Sequence, residues 1–145
     1  CRGSGEDTQM AYGLSVCDIL KISDNEIQWF SGKEDYTEGI HMLQQTYQIP
    51  LILLSMGKDG SRAYYKDMLV EVPAFLQKNT IETTGAGDTF GACCLHHILK
   101  YGLDNLTKQQ LKEMLTFANA AASIITTRKG ALRVMPSLEE IQRLL

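Results

Sequence analysis

Gly85, Gly87 and Asp88 fall within one short stretch, Thr84-Gly-Ala-Gly-Asp-Thr-Phe90. Glycines at a helix start let the backbone approach a ligand closely and aim several N–H groups at one point. Together with the positive end of the helix dipole, those groups make an anion site. A carboxylate beside an anion site repels the ligand if binding is the only purpose. Its place makes chemical sense if the ligand also brings a hydroxyl. Asp88 then accepts the hydroxyl proton while the N–H groups stabilise charge on a phosphoryl group in transfer. The alternative is an Asp that caps the helix and glycines that only turn the chain. Spacing leaves both open. It does exclude two other phosphate loops. G-x-x-x-x-G-K-[ST] occurs nowhere, and a G-x-G-x-x-G fingerprint fails because Phe90 stands where its third glycine belongs.

The elements around this stretch read as an α/β layer fold. Residues 17–22 suit a strand, and Ser23-Asp-Asn-Glu26 is a capping box opening a short helix toward Phe30. Ile40, Leu43 and Tyr47 lie at helical spacing within a helix expected over about residues 34–47. Leu51-Ile-Leu-Leu54, after Pro50, suits a strand buried on both faces, so that strand, helix and strand make a parallel crossover unit. Gly57-Lys-Asp-Gly60 is a tight turn, and residues 62–66 and 68–72 read as a hairpin turning at Lys66-Asp67. A helix is expected over about residues 89–101, ended by Gly102. Thr107 with Gln110 and Ser137 with Glu140 are two further capping boxes, each opening a helix.

The chain has 145 residues, 44% of them hydrophobic and 21% charged, which suits one soluble globular domain. A net charge of -3 gives no electrostatic reason to expect nucleic acid or an anionic membrane as partner. The longest apolar run, Leu51 to Leu54, is far short of the ~20 residues of a membrane span. Cys1, Cys17, Cys93 and Cys94 form no C-x-x-C pair and read as ordinary thiols of a reducing cytoplasm. The first residues, C-R-G-S-G-E-D-T, carry no apolar periodicity. Residues 1–17 are therefore expected to be an irregular start, continuing an N-terminal half that precedes Cys1.

Glu82-Thr-Thr-Gly-Ala-Gly-Asp-Thr-Phe90 closely resembles the C-terminal signature of ribokinase-like (PfkB-type) carbohydrate kinases, D-T-T-G-A-G-D-x-F. Three further segments extend the likeness. Ser55-Met-Gly-Lys-Asp-Gly60 is similar to the family's T-x-G-x-x-G nucleotide turn. Phe117-Ala-Asn-Ala-Ala-Ala122 with Thr127-Arg-Lys-Gly-Ala131 resembles its adenine-side and cation-side segment. Lys21-Ile-Ser-Asp-Asn-Glu26 resembles the strand end that carries N-x-x-E. The resemblance runs from about Asp18 to Leu145. It implies the C-terminal part of a ribokinase-like three-layer α/β/α fold with a central, mostly parallel sheet, residues 18–145 forming the nucleotide-binding and catalytic part.

The resemblance also implies roles. Asp88 would be the catalytic base for a sugar hydroxyl, with Gly85, Ala86 and Gly87 as the anion hole. Ser23, Ser55, Gly57, Gly60 and Asn119 would line the nucleotide. Glu26 would act on the Mg2+–phosphate network through water, ATP bringing the Mg2+. Glu82, Thr84, Ile125, Arg128 and Gly130 match the positions around a monovalent cation, K+. Glu82 replaces the signature's first Asp, Ser23 replaces the Asn of N-x-x-E as in fructokinase-like members, and Val134 stands where a side-chain oxygen often completes the cation shell.

Several of these residues have plainer roles open to them. Glu26 is also the far end of a capping box, and Asn119 could satisfy a buried backbone group. His96 and His97 read as packing or surface residues, Trp29 and Phe30 as core, Lys58 and Asp59 as a solvated turn tip. Ala120 to Ala122 suit close helix–sheet packing. Family members are about twice this long, and nothing here resembles their G-G-x-x-x-N sugar segment. The expected activity is ATP-dependent phosphorylation of a small sugar, fructose or a related ketose, by a cytoplasmic enzyme, with a homodimer open and this chain inactive alone. The alternatives are a non-catalytic nucleotide-binding regulator and a kinase of vitamin- or nucleoside-type substrates.

Overall fold

The computed structural model describes residues 4–145. In chain order, helix α1 (Ser4–Ser15) leads to strand β1 (Ile19–Ser23), helices α2 (Asp24–Ser31) and α3 (Tyr36–Tyr47), and strand β2 (Leu51–Ser55). A 3-10 turn, Gly57–Asp59, feeds the hairpin of β3 (Ser61–Tyr65) and β4 (Met68–Val72). Helices α4 (Ala86–Tyr101), α5 (Lys108–Ile125) and α6 (Leu138–Leu144) complete the chain. All three capping boxes form as the sequence predicts, with Ser23, Thr107 and Ser137 each accepting from the N–H three residues on.

The sheet has strand order β1-β2-β3-β4. Its parallel pair is β1 with β2, the expected crossover, in the register Ile19↔Leu51 to Ser23↔Ser55. The β2–β3 and β3–β4 pairs are antiparallel, so within this chain the sheet is mixed rather than mostly parallel. The tight turn and hairpin cause this, because each reverses the chain after only a few residues.

Two cores flank the sheet and make three layers. On one face Leu51, Leu53, Ala63, Tyr65, Val70 and Val72 pack against Phe90, Cys94 and Ile98 of α4 and Leu111, Met114, Leu115 and Ala118 of α5. On the other, Ile22, Ile52, Leu54 and Tyr64 pack against Leu14, Ile27, Ile40 and Leu43 from α1 to α3. Leu51 to Leu54 are fully buried, as a strand covered on both faces must be. Each such side chain contributes about 1.5–3 kcal/mol by leaving water.

Three expectations change here. Residues 4–15 form a helix where no regular element was expected. That helix sends Leu14 into the core and so lacks the apolar stripe that pattern reading requires. Trp29 is 58% exposed rather than core, and Ile27 is the buried residue of α2. Phe30 does pack against the core. Of the alanine run, Ala122 packs against the sheet-side core as expected, whereas the buried Ala120 and Ala121 pack with Ile141 of α6. Cys17, Cys93 and Cys94 are free thiols, as expected, and burial raises the pKa of Cys93 to about 11 and that of Cys94 further. Cys1 lies outside the described residues. Among the described residues, no helix is long and apolar enough to cross a membrane.

Candidate active site

Helix α4 starts earlier than the sequence reading placed it, at Ala86, and this puts Gly87 and Asp88 inside its first turn. Gly85 is the N-cap, with φ 78°, a left-handed conformation that glycine adopts without strain. A Cβ there would also stand 2.9 Å from the Cβ of Ala131, so the turn is closed on two counts. The N–H of Ala86, expected in the anion hole, donates to the carbonyl of Thr83 at 3.1 Å. The N–H groups of Gly85, Gly87 and Asp88 have no acceptor among the described residues, as the first turn of a helix leaves them. The N–H groups left to meet an anion at this turn are therefore those of Gly85, Gly87 and Asp88.

Asp88 itself is exposed, and the α4 N-terminus has no side-chain cap. Among the described residues no hydrogen bond or ion pair engages its carboxylate. The capping alternative thus has no support. Glu26 behaves in the opposite way. Its Oε2 accepts from the Ser23 N–H at 2.7 Å, and its own N–H donates to Ser23 Oγ at 3.3 Å. The Ser23 N–H, with smaller contributions from the Ser23 hydroxyl and the Lys21 charge, holds the Glu26 carboxyl below its ordinary pKa.

A cavity of about 280 Å3 opens against this helix start. Ser55, Gly57, Gly60 and Asn119 line it together with Ala86 and Gly87, so four of the five expected nucleotide residues meet the glycine-rich turn. Ser23, Gly85, Asp88 and Glu26 are not part of its wall. Strand register brings Ser23, Ser55 and Ser61 into one row across the sheet ends. Gly60 is required by packing as well. Its φ is 98°, and a Cβ would stand 2.2 Å from the carbonyl oxygen of Val72. Lys58 and Asp59 are exposed, as expected of a turn tip.

Asn119 is 7% exposed, and its amide donates to the carbonyls of Val72 at 3.2 Å and Pro73 at 3.0 Å. It holds the chain leaving β4, which supports the backbone role over ligand contact by that nitrogen. Sequence reasoning missed the cavity's other wall, the loop after β4 with Ala74, Phe75, Leu76 and Gln77. Gln77 Nε2 donates to Ser123 Oγ at 3.1 Å, tying that loop to α5. Pro73 was the available signal, since proline ends a strand and starts a loop.

The expected cation residues are brought close together but are occupied. Glu82 Oε1 accepts from the Gly130 N–H at 2.6 Å, and the Ile125 carbonyl accepts from the Arg128 N–H at 3.0 Å. Arg128 Nη1 donates to the Val134 carbonyl at 2.9 Å, and Nη2 pairs with Glu140. Thr84 is exposed. No group of three or more His, Cys, Asp or Glu suited to a metal ion exists among the described residues. His96 is exposed, and His97 is partly buried with its ring 4.9 Å from that of Phe117, a packing role.

The pfkB family carbohydrate kinase profile matches residues 3–138, nearly the whole chain. The chain belongs to this family. Fructokinase-1 of Zea mays is 32% identical over 138 residues, which cover 95% of this chain and 42% of the maize protein. A crystal structure of fructokinase from Vibrio cholerae O395, in a form bound to fructose, ADP and calcium ion, superposes with a TM-score of 0.82 at 24% identity. It covers 95% of this chain and 44% of that one. A structure of Arabidopsis thaliana ribokinase complexed with ribose and ATP gives 0.78 at 24% identity, over 92% and 42% of the two chains. The fold is ribokinase-like. This chain spans less than half the length of these relatives.

Proposed function

We propose that this pfkB family chain carries the nucleotide side and the catalytic base of an ATP-dependent sugar kinase. The observation that carries the reading is Asp88, an exposed carboxylate in the first turn of α4 that no group among the described residues engages, beside unpaired backbone N–H groups and a cavity. In the reaction the hydroxyl oxygen of the sugar bonds to the γ-phosphorus, and the bond from that phosphorus to the β–γ bridging oxygen breaks. The hydroxyl proton passes to Asp88, and ADP leaves. The N–H groups of Gly87 and Asp88, at the positive pole of the helix, oppose the negative charge on the transferring group.

The adenosine part fits the cavity between the turn at Gly57 and the Phe75–Leu76 wall, whose lining is mostly apolar, as nucleotide pockets are. Mg2+ fits the site as a companion of ATP. Glu26 Oε1 has no hydrogen bond among the described residues while Oε2 holds the cap, so Oε1 can receive a metal-bound water. That ion would lessen the phosphate charge. K+ fits less well, because the Glu82 carboxylate and the Ile125 carbonyl already accept protein N–H groups. Fructose or a related ketose is the proposed substrate, supported by the fructokinase relatives and by the serine of Lys21-Ile-Ser-Asp-Asn-Glu26. The free thiols agree with a cytoplasmic setting.

A sugar panel with ATP tests the proposal on the intact protein. Fructose-dependent ADP release is expected. Release that no sugar stimulates would refute it.

A further inference from the structure

Residues 80–85 lead into α4 without regular secondary structure, yet they set where the first-turn N–H groups of Gly87 and Asp88 point. The chain leaving α5 is what holds them. The Ile81 N–H donates to the Thr126 carbonyl at 2.8 Å, and the Glu82 N–H shares that carbonyl at 3.3 Å. The Glu82 side chain then reaches farther along the same segment, where its Oε1 accepts the Gly130 N–H at 2.6 Å. Gly130 has φ 108°, and a Cβ there would meet nothing within 4 Å, so glycine answers the backbone conformation and not a lack of space. The next residue, Ala131, lies against the N-cap of α4, since a Cβ on Gly85 would stand 2.9 Å from the Ala131 Cβ. Glu82 and Gly85 thus grip two adjacent residues, Gly130 and Ala131, in a closed ring of contacts. A carboxylate that joins two loops in this way does what a cation held between them would do. The Ile125 carbonyl already accepts the Arg128 N–H, and the Val134 carbonyl accepts from Arg128 Nη1, so an ion there would have to displace protein donors.

We propose that Glu82 is a positioning residue: its carboxylate clasps Gly130, keeps Ala131 against Gly85, and so fixes the start of α4 without a monovalent cation. The effect on turnover rests on the kinase reading, whereas the clasp itself does not. Side-chain length is the specific requirement. Aspartate would withdraw the carboxylate by about 1.5 Å, the length of one C–C bond. The contact would then be about 4 Å, past hydrogen-bonding range. Glutamine keeps both the length and an acceptor oxygen.

Two measurements on the intact protein test this, each in the parent, Glu82→Asp and Glu82→Gln. Amide hydrogen exchange reads the clasp, and steady-state kinetics with ATP and fructose read its consequence. Glu82→Asp should speed exchange at Gly130 and Ile81 roughly 10-fold or more, the range for losing a hydrogen bond to a charged group. Its kcat should fall by up to about 100-fold, the cost of a misplacement near 1 Å, with both KM values nearly unchanged. Glu82→Gln should stay close to the parent in both measurements. Replacing sodium with potassium should leave the melting midpoint of the parent where it is. Parent-like exchange in Glu82→Asp, a Glu82→Gln as impaired as Glu82→Asp, or a midpoint raised by potassium but not by sodium would overturn the proposal. Faster exchange with an unchanged kcat would also overturn it, reducing Glu82 to a structural tie. The two readings fail separately. A parent that no sugar stimulates refutes the kinase reading, while exchange at Gly130 and Ile81 still decides whether Glu82 holds the turn.

Discussion

Asp88 and Glu26 are both carboxylates in the first turn of a helix, yet only Glu26 is consumed by its own backbone. The difference lies in the residue at the cap. Ser23 offers a hydroxyl and an N–H to a reciprocal pair, whereas Gly85 has no side chain to share. The Asp88 carboxylate is thereby left without a partner among the described residues. Asn119, on the cavity wall, also serves as a structural clasp on Val72 and Pro73. Replacing it with Ala leaves two carbonyls without that donor, and a buried unsatisfied group costs about 1–3 kcal/mol. Denaturant unfolding of Asn119→Ala should show a stability loss in that range, with ATP affinity falling only modestly. An unchanged stability with a collapse of ATP binding would return Asn119 to the ligand.

At the scale of elements, α6 is tied to the end of α5 through one carboxylate. Glu140 accepts from the Ser137 N–H and pairs with Arg128, which in turn holds the Val134 carbonyl. The Ser137 N–H first, and then Arg128, lower the Glu140 pKa from 4.5. A folded-state pKa below the unfolded one gives stability that is fully present above about 4.5 and lost as pH falls through the lower value. Glu140→Gln keeps a capping-box partner, as Gln110 does for Thr107, but cannot titrate. Its unfolding midpoint should fall less steeply than that of the parent below pH 4.5. Identical slopes would mean that the clip contributes nothing to acid sensitivity. The same clip, with Glu82 on Gly130, leads us to expect little difference in rate between potassium and sodium. Strong potassium-specific activation would show that the backbone oxygens suffice. The three capping boxes, the buried strand and the hairpin were all legible in the sequence, because each follows from contacts within a few residues. Helix α1 was not, since one anchoring leucine makes no period. Nor was the exposure of Trp29, the hydrogen bond of the Ala86 N–H to Thr83, or the reach of Glu82 to Gly130. Those depend on how distant segments or successive turns are placed, which residue types alone do not specify.

At the scale of the molecule, the sheet serves as a platform with the candidate site at one end. Ser23 ends β1, Ser55 ends β2 and Ser61 begins β3, and the start of α4 is carried over that end by the Phe90–Cys94–Ile98 face. Phe90 is the anchor nearest the site, at 3% exposed, so its loss would loosen the position of Asp88. Phe90→Ala should cost about 3–5 kcal/mol in unfolding free energy, measured by denaturant titration, and a near-neutral change would mean that α4 is held elsewhere. The central claim is that Asp88 takes the proton from a sugar hydroxyl. The most direct measurement is the fructose-dependent turnover of Asp88→Asn in the intact protein, set beside its ATP affinity. Asn keeps the shape but cannot accept the proton, and general-base catalysis supplies about 10²–10⁴-fold in rate. The account predicts a fall in kcat of that order with ATP binding nearly unchanged. Turnover close to that of the parent would contradict it.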